Sequence, residues 1–303
     1  MKLQANEAMS HIPVLLHEVI RGLDLAAGAT AVDATVGGGG YTKAMCDAVG
    51  PTGRIIGFDE DEAALERGVK ACGGSTCSFT PVLSNFRHMR EKLTEIGVES
   101  IDGVAFDLGF STFQLETAGR GFSFLRDEPL IMTFSSREGG RPFTAEDIVN
   151  DWSEETLSNI LFGYGEERFS RQIAKAIVDA RRKERITTTN ALVEVVKAAV
   201  PGGYRNGPIH PATRTFQALR IAVNDELGAL AEGIAGAFES LKPGGTMAVV
   251  SFHSIEDRIV KNFFKDRVGE GATLLAKKPI TPTFQETRMN PRSRSAKLRL
   301  IQK

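Results

Sequence analysis

Four short apolar runs, separated by helical patterns, occupy the first third of the chain. The runs lie at residues 30–35, 54–59, 78–83 and 103–107. Helical patterns stand between them, for example at 63–71 and 86–96. A strand buried on both faces is apolar throughout, and parallel neighbours need a helical crossover. The alternation therefore predicts an α/β fold built on a parallel sheet.

Strand signals disappear in the middle of the chain, between residues 113 and 211. Helical patterns follow one another there, at 144–149, 153–162, 167–184 and 188–200. We interpret 113–211 as an inserted all-helical domain. Residues 1–112 and 212–303 are then the two parts of one α/β domain.

The α/β pattern resumes in the last third of the chain. Apolar residues recur at steps of three and four from Phe216 to Leu241, which predicts one long helix. A fifth strand is predicted at 246–252, and segments 272–276 and 297–301 are predicted to close the sheet as a hairpin.

Charge and hydropathy restrict the partners and the compartment. The 303 residues carry a net charge of −1, so any attraction to nucleic acid must be local. Segment 287–303 is such a feature, with six basic residues and no acidic one. The N-terminal residues lack the apolar block of a signal peptide, and no apolar run approaches the ~18 residues of a membrane span. These features predict a cytoplasmic protein.

The cysteine content agrees with a reducing compartment. Cys46, Cys72 and Cys77 are an odd number without Cys-x-x-Cys spacing. This argues against a disulfide framework and against a zinc site. Cys72 and Cys77 are therefore predicted to be plain thiols.

A glycine-rich loop follows the first predicted strand, and an acid ends the second. Asp59 lies 19 residues beyond Gly40, the spacing at which doubly wound nucleotide folds place a carboxylate on ribose hydroxyls. The third glycine of a dinucleotide fingerprint is replaced by Thr42, and no P-loop lysine follows. The pattern favours a ribose ligand without phosphates, such as S-adenosylmethionine. The alternative is a tight turn beside a surface carboxylate.

A second acid, Asp107, ends the fourth predicted strand and begins the sequence Asp-Leu-Gly-Phe. Open α/β sheets bind ligands beyond the carboxyl ends of their strands, so Asp107 is expected to face the same crevice as Gly39 and Asp59. Methylation of an exocyclic amine requires acceptors for the amine hydrogens, and such sites commonly have an acid or amide followed by Pro-Pro and an aromatic residue. Here the prolines are missing, but the acid and the aromatic residue in fourth position, Phe110, are present. The alternative is that Asp107 caps the next turn.

A histidine follows the fifth predicted strand. His253 is a candidate for orienting a base or a phosphate. The succeeding residues, Ser254 to Asp257, have the pattern of a helix capping box, which favours a structural role for this corner.

Several longer motifs carry a resemblance to a known family. Segments 210–226 and 251–258, together with shorter motifs at 11–16, 32–35, 120–124, 164–169 and 290–299, resemble the bacterial family of ribosomal RNA small-subunit methyltransferase H, also called MraW. The resemblance runs in order from about residue 11 to residue 301. It implies a Rossmann-like class I methyltransferase fold with an inserted all-helical domain.

The resemblance also implies an activity and a set of site residues. The implied reaction is transfer of a methyl group from S-adenosylmethionine to N4 of a cytosine in the decoding region of 16S rRNA, in the small ribosomal subunit and without a metal. Asp107 is the implied catalytic residue. The implied cofactor contacts are Gly39, Gly40, Tyr41, Asp59, Phe86, Asp107 and Gln114.

The chain departs from the family pattern at three positions, one of which is an implied cofactor contact. Tyr41 stands where the family has histidine, and Ile131 and Thr133 replace an acid and a base that the family has together. Two other functions therefore stay open. One is methylation of a different RNA or of a small amine, and the other is a non-catalytic RNA-binding role in ribosome assembly.

Overall fold

The computed structural model describes residues 13–74, 77–109, 119–135 and 143–303. Within these ranges, no helix has the length and apolar character needed to cross a membrane. Gln114 and Phe110, two residues singled out in the sequence, lie outside the described residues.

A seven-stranded sheet forms the centre of the α/β part. Its strands are β1 (Thr30–Asp33), β2 (Arg54–Asp59), β3 (Ser78–Leu83), β4 (Ile101–Asp107), β5 (Leu241–Ser251), β6 (Thr273–Leu274) and β7 (Lys297–Gln302). Their order across the sheet is β3-β2-β1-β4-β5-β7-β6. The first five are parallel, whereas β7 is antiparallel to both β5 and β6. The prediction of a Rossmann-like α/β fold is confirmed.

Helices connect the parallel strands and bury their apolar faces against the sheet. They are α1 (Leu16–Leu23), α2 (Gly40–Val49), α3 (Glu62–Cys72) and α4 (Met89–Glu95) in the first part of the chain. A 3₁₀ turn at Phe86–His88 precedes α4. Two apolar clusters result, one centred on Phe58, Phe106 and Phe264 and the other on Met45, Ile55 and Val250.

The chain divides into two compact units. One contains residues 1–112 and 228–303, and the other contains residues 113–227. The regular structure described in the second unit consists of helices: α5 (Ala145–Asp151), α6 (Glu154–Gly163), α7 (Ser170–Arg181), α8 (Thr189–Ala199), α9 (Gly202–Arg205) and α10 (Thr213–Asn224). One isolated bridge joins Pro129 to Thr188. This unit has an apolar core of its own, which includes Leu157, Ile173 and Leu192.

The apolar stripe between Phe216 and Leu241 belongs to two helices, so the prediction of one long helix is wrong. Helix α10 ends at Asn224, and α11 (Glu226–Ser240) begins two residues later. Asp225 between them has a left-handed backbone, with φ of 48°, and its N–H donates to the carbonyl of Ile221. The apolar repeat does not reveal this break, because a single residue, Asp225, separates the two helices. Helix α10 packs with α5 and α6 of the helical unit. That unit therefore extends beyond residue 212, to residue 227.

Two helices of the last part complete the α/β unit. Helix α12 (Ser254–Gly269) follows β5, and the short α13 (Phe284–Met289) and a 3₁₀ turn at Pro291–Ser295 precede β7. The predicted pairing of the two last strands is present, since Thr273 and Leu274 pair with Gln302 and Ile301.

The cysteines differ from their prediction. Cys46 and Cys77 form a disulfide, so the expectation that Cys77 is a plain thiol is wrong. Cys72 is free and buried, with its Sγ 2.9 Å from that of Cys46. The pairing joins residues 31 positions apart, because α2 packs beside α3 and the turn that follows α3. Burial raises the pKa of the Cys72 thiol to about 11.

Candidate functional site

Three neighbouring strands end in an aspartate. Asp33 ends β1, Asp59 ends β2 and Asp107 ends β4, and β1 pairs with both of the other strands. Parallel strands that are aligned side by side bring their carboxyl ends to one edge of the sheet, where α/β folds bind ligands. The two acids identified in the sequence therefore lie on either side of a third, Asp33.

The loop after β1 connects these strand ends by hydrogen bonds. The backbone N–H of Gly37 donates to Oδ2 of Asp59 at 3.0 Å. The hydroxyl oxygen of Thr35 accepts from the backbone N–H of Asp107 at 2.8 Å. Thr35 also donates its own N–H to Asp33 Oδ1. Residues 33–37 therefore fix the positions of Asp59 and Asp107 relative to each other.

Gly39 and Gly40 allow α2 to begin close to its neighbours. Gly39 has φ of +79°, and a Cβ atom there would lie 3.0 Å from the Cβ of Ala71 in α3. A Cβ on Gly40 would lie 2.2 Å from a ring carbon of Pro13. Side chains at these two positions would collide with α3 and with Pro13, so the glycines allow the start of α2 to pack closely against both.

Asp59 is a half-buried acceptor that can accept further hydrogen bonds. Each of its carboxylate oxygens accepts one backbone N–H, from Gly37 and from Asp61. A carboxylate oxygen can accept two hydrogen bonds, so both oxygens retain a position for a ligand hydroxyl. Burial raises the pKa of Asp59 to about 6, against the opposing effect of these N–H groups. Asp59 is thus largely ionised at neutral pH and suited to bind a pair of ribose hydroxyls.

Asp107 combines a raised pKa with an unpartnered oxygen. Its Oδ1 atom is buried and has no hydrogen-bond partner in the described part of the chain. Burial, followed by the charges of Asp33 and Glu256, raises the pKa of Asp107 to about 8. A buried oxygen without a partner carries a desolvation cost of about 1–3 kcal/mol, which a ligand N–H would relieve. The position favours a site that is completed by a bound donor.

Two aromatic residues predicted to contact the cofactor are built into the surrounding core. Tyr41 is buried, and its hydroxyl donates to the carbonyl of Val14. Phe86 begins the 3₁₀ turn after β3 and packs edge-on against Phe106, with ring centroids 5.5 Å apart. Phe86 is only half-buried, which leaves ring surface near the ends of the strands.

His253 has a structural partner. It is the N-cap of α12 and forms a capping box with Glu256, whose Oε2 accepts from the N–H of Phe252 and of His253. The box therefore begins one residue earlier than the Ser254 to Asp257 pattern indicated, because a histidine nitrogen replaces the usual hydroxyl. This arrangement favours the structural role for His253.

The comparison with protein families decides what kind of site this is. The model of the MraW methylase family matches residues 8–303, almost the whole chain. The chain belongs to the MraW methylase family. It is therefore a methyltransferase, and S-adenosylmethionine is its cofactor.

The MraW chain is also similar to solved structures at low identity. A candidate rRNA methylase of Clostridium thermocellum is 14% identical, with a TM-score of 0.47 and coverage of 97% of this chain and 99% of that one. NSun6 of Pyrococcus horikoshii is 13% identical, with a TM-score of 0.46 and coverage of 97% and 52%. An rRNA methylase of Streptococcus thermophilus is 12% identical, with a TM-score of 0.41 and coverage of 95% and 93%. At these values the similarities add nothing to the family assignment.

The residues at the strand ends of this MraW chain fit S-adenosylmethionine. The loop that ends in Gly39 and Gly40 presents no side chain at these two positions, and Asp59 offers acceptors for a ribose. Asp33 and Thr35 were missed as site residues, although Asp33 ends an apolar run in the same way as Asp59 and Asp107. That shared ending was the signal in the sequence that identifies Asp33.

The loop in which the family's acid and base are replaced is firmly held within the helical unit. Asn224 accepts from the N–H of Phe134 and donates to the carbonyl of Met132. The Arg120 guanidinium donates to the carbonyls of Thr133 and Phe134. Ile131 is half-buried. The backbone of this loop thus has ordered partners with isoleucine and threonine in place of charged residues.

Proposed function

We propose that this MraW family member methylates N4 of a cytosine in the decoding region of 16S rRNA. Membership of the family supports the methyl transfer, and the motifs that resemble the small-subunit methyltransferases support the choice of nucleotide. The observation that carries the proposal is the buried, unpartnered Oδ1 of Asp107 at the end of β4.

Cytosine N4 is a poor nucleophile because its lone pair is delocalised into the ring. An acceptor that holds an amine hydrogen turns the lone pair out of the ring plane and toward the methyl carbon. Two observations support Asp107 as that acceptor: its Oδ1 is buried without a partner, and its backbone N–H is bound by Thr35 in the loop that also donates to Asp59. The pKa of about 8 shows how strongly this environment resists an isolated negative charge. An N–H donor would stabilise the ionised form of Asp107.

The cofactor supplies an activated methyl group, and the protein supplies orientation. The ribose would rest on Asp59, and the backbone at Gly39 and Gly40 would lie against the rest of the cofactor. Holding donor and acceptor in line accounts for much of the catalysis expected of such a site. The target base must leave any stack to reach it.

The experiment offers labelled S-adenosylmethionine to three substrates, which are assembled small subunits, naked 16S RNA and free cytidine. The labelled nucleotide is then mapped by nuclease digestion and mass spectrometry. We expect one labelled cytosine, N4-methylated, in the decoding region. A folded Asp59→Ala variant, which is expected to bind the cofactor poorly, serves as the control for non-enzymatic labelling.

Each other result points to a different function. Label at another nucleotide, or on the free nucleoside or another small amine alone, would replace the proposed substrate. Such a result is motivated by the loss of the acid and base at Ile131 and Thr133. A chain that binds S-adenosylmethionine and small subunits without any transfer would be a non-catalytic assembly factor.

A further inference from the structure

The basic residues near the C-terminus fall into two groups. Lys297 and Arg299, on β7, both form ion pairs with Asp257 of α12, at 2.9 and 2.7 Å. The ammonium group of Lys303 donates to the carbonyls of Glu239 and Leu241. All three cations have partners within the α/β unit, so residues 297–303 contribute less to an RNA-binding surface than their charge indicates.

The other group lies before β7 on an exposed surface. It consists of Lys277, Lys278, Arg288, Arg292 and Arg294, all of which are exposed. Glu286 is the one acid between residues 277 and 296, and its Oε1 accepts from the backbone N–H of Leu15. This stretch, which we call the 277–294 surface, is therefore strongly positive on a chain whose net charge is −1.

Two large apolar side chains stand among these cations. Phe284 is 83% exposed and Met289 is 76% exposed, at the two ends of α13. A single exposed apolar residue needs no explanation. An exposed aromatic ring interleaved with cations is different, because it is the combination that single-stranded RNA-binding proteins use. The ring stacks on a base, and the cations contact the phosphates on either side.

The 277–294 surface is connected to the start of α2 through the segment that precedes α1. The bond between Glu286 and Leu15 fastens α13 to the segment that precedes α1. That same segment accepts the Tyr41 hydroxyl at Val14 and places Pro13 against Gly40. Tyr41 and Gly40 begin α2, the helix start that would lie against the cofactor in the proposed function. A chain held on the surface therefore lies one short segment away from the methyl donor.

We propose that the 277–294 surface binds the single-stranded RNA that flanks the target nucleotide. Phe284 stacks on one of its bases, and Arg288 and Arg294 neutralise neighbouring phosphates. The inference rests on the proposed RNA substrate and adds to it a binding site outside the methyl-transfer centre. Arg288, Arg294 and Phe284 thereby have a role in RNA binding, whereas the packing of the sheet does not need them.

The test measures binding of a fluorescein-labelled oligocytidylate of about twelve nucleotides, by anisotropy, with S-adenosylhomocysteine present. Binding is followed over about 50–200 mM salt. Arg288→Ala with Arg294→Ala is expected to reduce the slope of log affinity against log salt by about 1.4, since each phosphate contact on single strands contributes about 0.7. Phe284→Ala is expected to weaken binding about tenfold with the slope unchanged, and Phe284→Trp to restore it.

Two controls separate this surface from general effects. Lys261→Ala with Lys265→Ala removes two exposed cations of α12 in the same unit and is expected to leave both affinity and slope close to the parent values. Affinity for S-adenosylhomocysteine, measured for each variant, verifies that the fold and the cofactor site are intact. Equal slopes for the parent and the double arginine variant would overturn the proposal. So would an unaltered affinity for Phe284→Ala, which would point to a protein partner for this face.

The result is distinguishable from the outcome of the methylation experiment. A parent protein that binds the oligonucleotide through Phe284, Arg288 and Arg294 but labels no ribosomal RNA would retain the surface and lose the proposed function. A parent protein that methylates small subunits, with variants that bind and methylate equally well, would retain the function and remove the surface.

Discussion

Asp33 and Asp107 end two neighbouring parallel strands, and burial, followed by the nearby Asp33 carboxyl group, raises the pKa of Asp107 to about 8. Burial also raises the pKa of Asp33, against hydrogen bonds from Thr42 and Thr35. Both side chains of Thr42 and Asp33 are buried, and their bond is 2.6 Å long. Asp33 thus has its partners within the protein, whereas Asp107 keeps one oxygen for a ligand.

Replacing Asp107 by asparagine should separate catalysis from cofactor binding. The amide has the same shape and keeps one acceptor oxygen but carries no charge, so the charge-assisted acceptor role in the transition state should be weakened. We expect the single-turnover methylation rate to fall about 100-fold, with a much smaller change in cofactor affinity. Rate is measured on small subunits and affinity by calorimetry. Equal losses in the two measurements would assign Asp107 to cofactor binding alone.

The same substitution should change how stability depends on pH. Between about pH 6 and about 8 the folded protein holds a proton on Asp107 that the unfolded chain has released. The free energy of unfolding of the parent should therefore fall as the pH rises through this range. Asp107→Asn removes the contribution, so its urea-unfolding free energy should fall less steeply. Asp266→Asn, at an exposed position, is the control. Parallel curves for parent and Asp107→Asn would contradict the raised pKa.

Removing the Asp59 carboxylate should weaken cofactor binding. Hydrogen bonds to a charged acceptor contribute about 1.5–3 kcal/mol each, and two ribose hydroxyls are expected to share this group. We expect calorimetry on Asp59→Ala to show a Kd for S-adenosylmethionine raised at least tenfold, about 1.4 kcal/mol. Asp59→Asn retains one acceptor oxygen, so its Kd should lie between the values for the parent and for Asp59→Ala. An unchanged Kd in a folded Asp59→Ala protein would remove Asp59 from the site.

Ile131 stands where the family has an acid, and an aspartate introduced there tests whether Ile131 and Thr133 jointly replace a charge pair. If Ile131 and Thr133 together replace a charge pair, Ile131→Asp places an unpaired acid at a half-buried position. It should then lower the free energy of unfolding by about 1–3 kcal/mol and should not raise turnover. Ile131→Asn is the control that separates charge from polarity. Turnover on small subunits that increases with aspartate but not with asparagine would instead show that a catalytic acid has been lost.

The strands of the sheet were predictable because each is a continuous apolar run bounded by turn residues. The break at Asp225 was not, since one left-handed residue leaves the apolar repeat almost unchanged on both sides. The disulfide between Cys46 and Cys77 was not predictable either. Its formation depends on how α2 lies beside α3, and spacing along the chain carries no information on that.

The candidate site was predicted in part. Asp59 and Asp107 were identified by their places at the ends of strands, which the structure brings to one edge of the sheet. Tyr41 was expected to contact the cofactor; its ring is buried, and its hydroxyl is bonded to Val14. The role of Thr35 could not be inferred, because a threonine in a loop has no pattern that reveals a bond to a residue 72 positions away.

The loop that follows β1 sets the positions of Asp59 and Asp107 relative to each other. Gly37 holds the acid suited to the donor's ribose, and Thr35 holds the backbone of the acid suited to the acceptor's amine. In the proposed function this one loop would align donor and acceptor before either of them binds. Such preorganisation means that a substitution at Thr35, which touches neither reactant, should disturb the alignment of both.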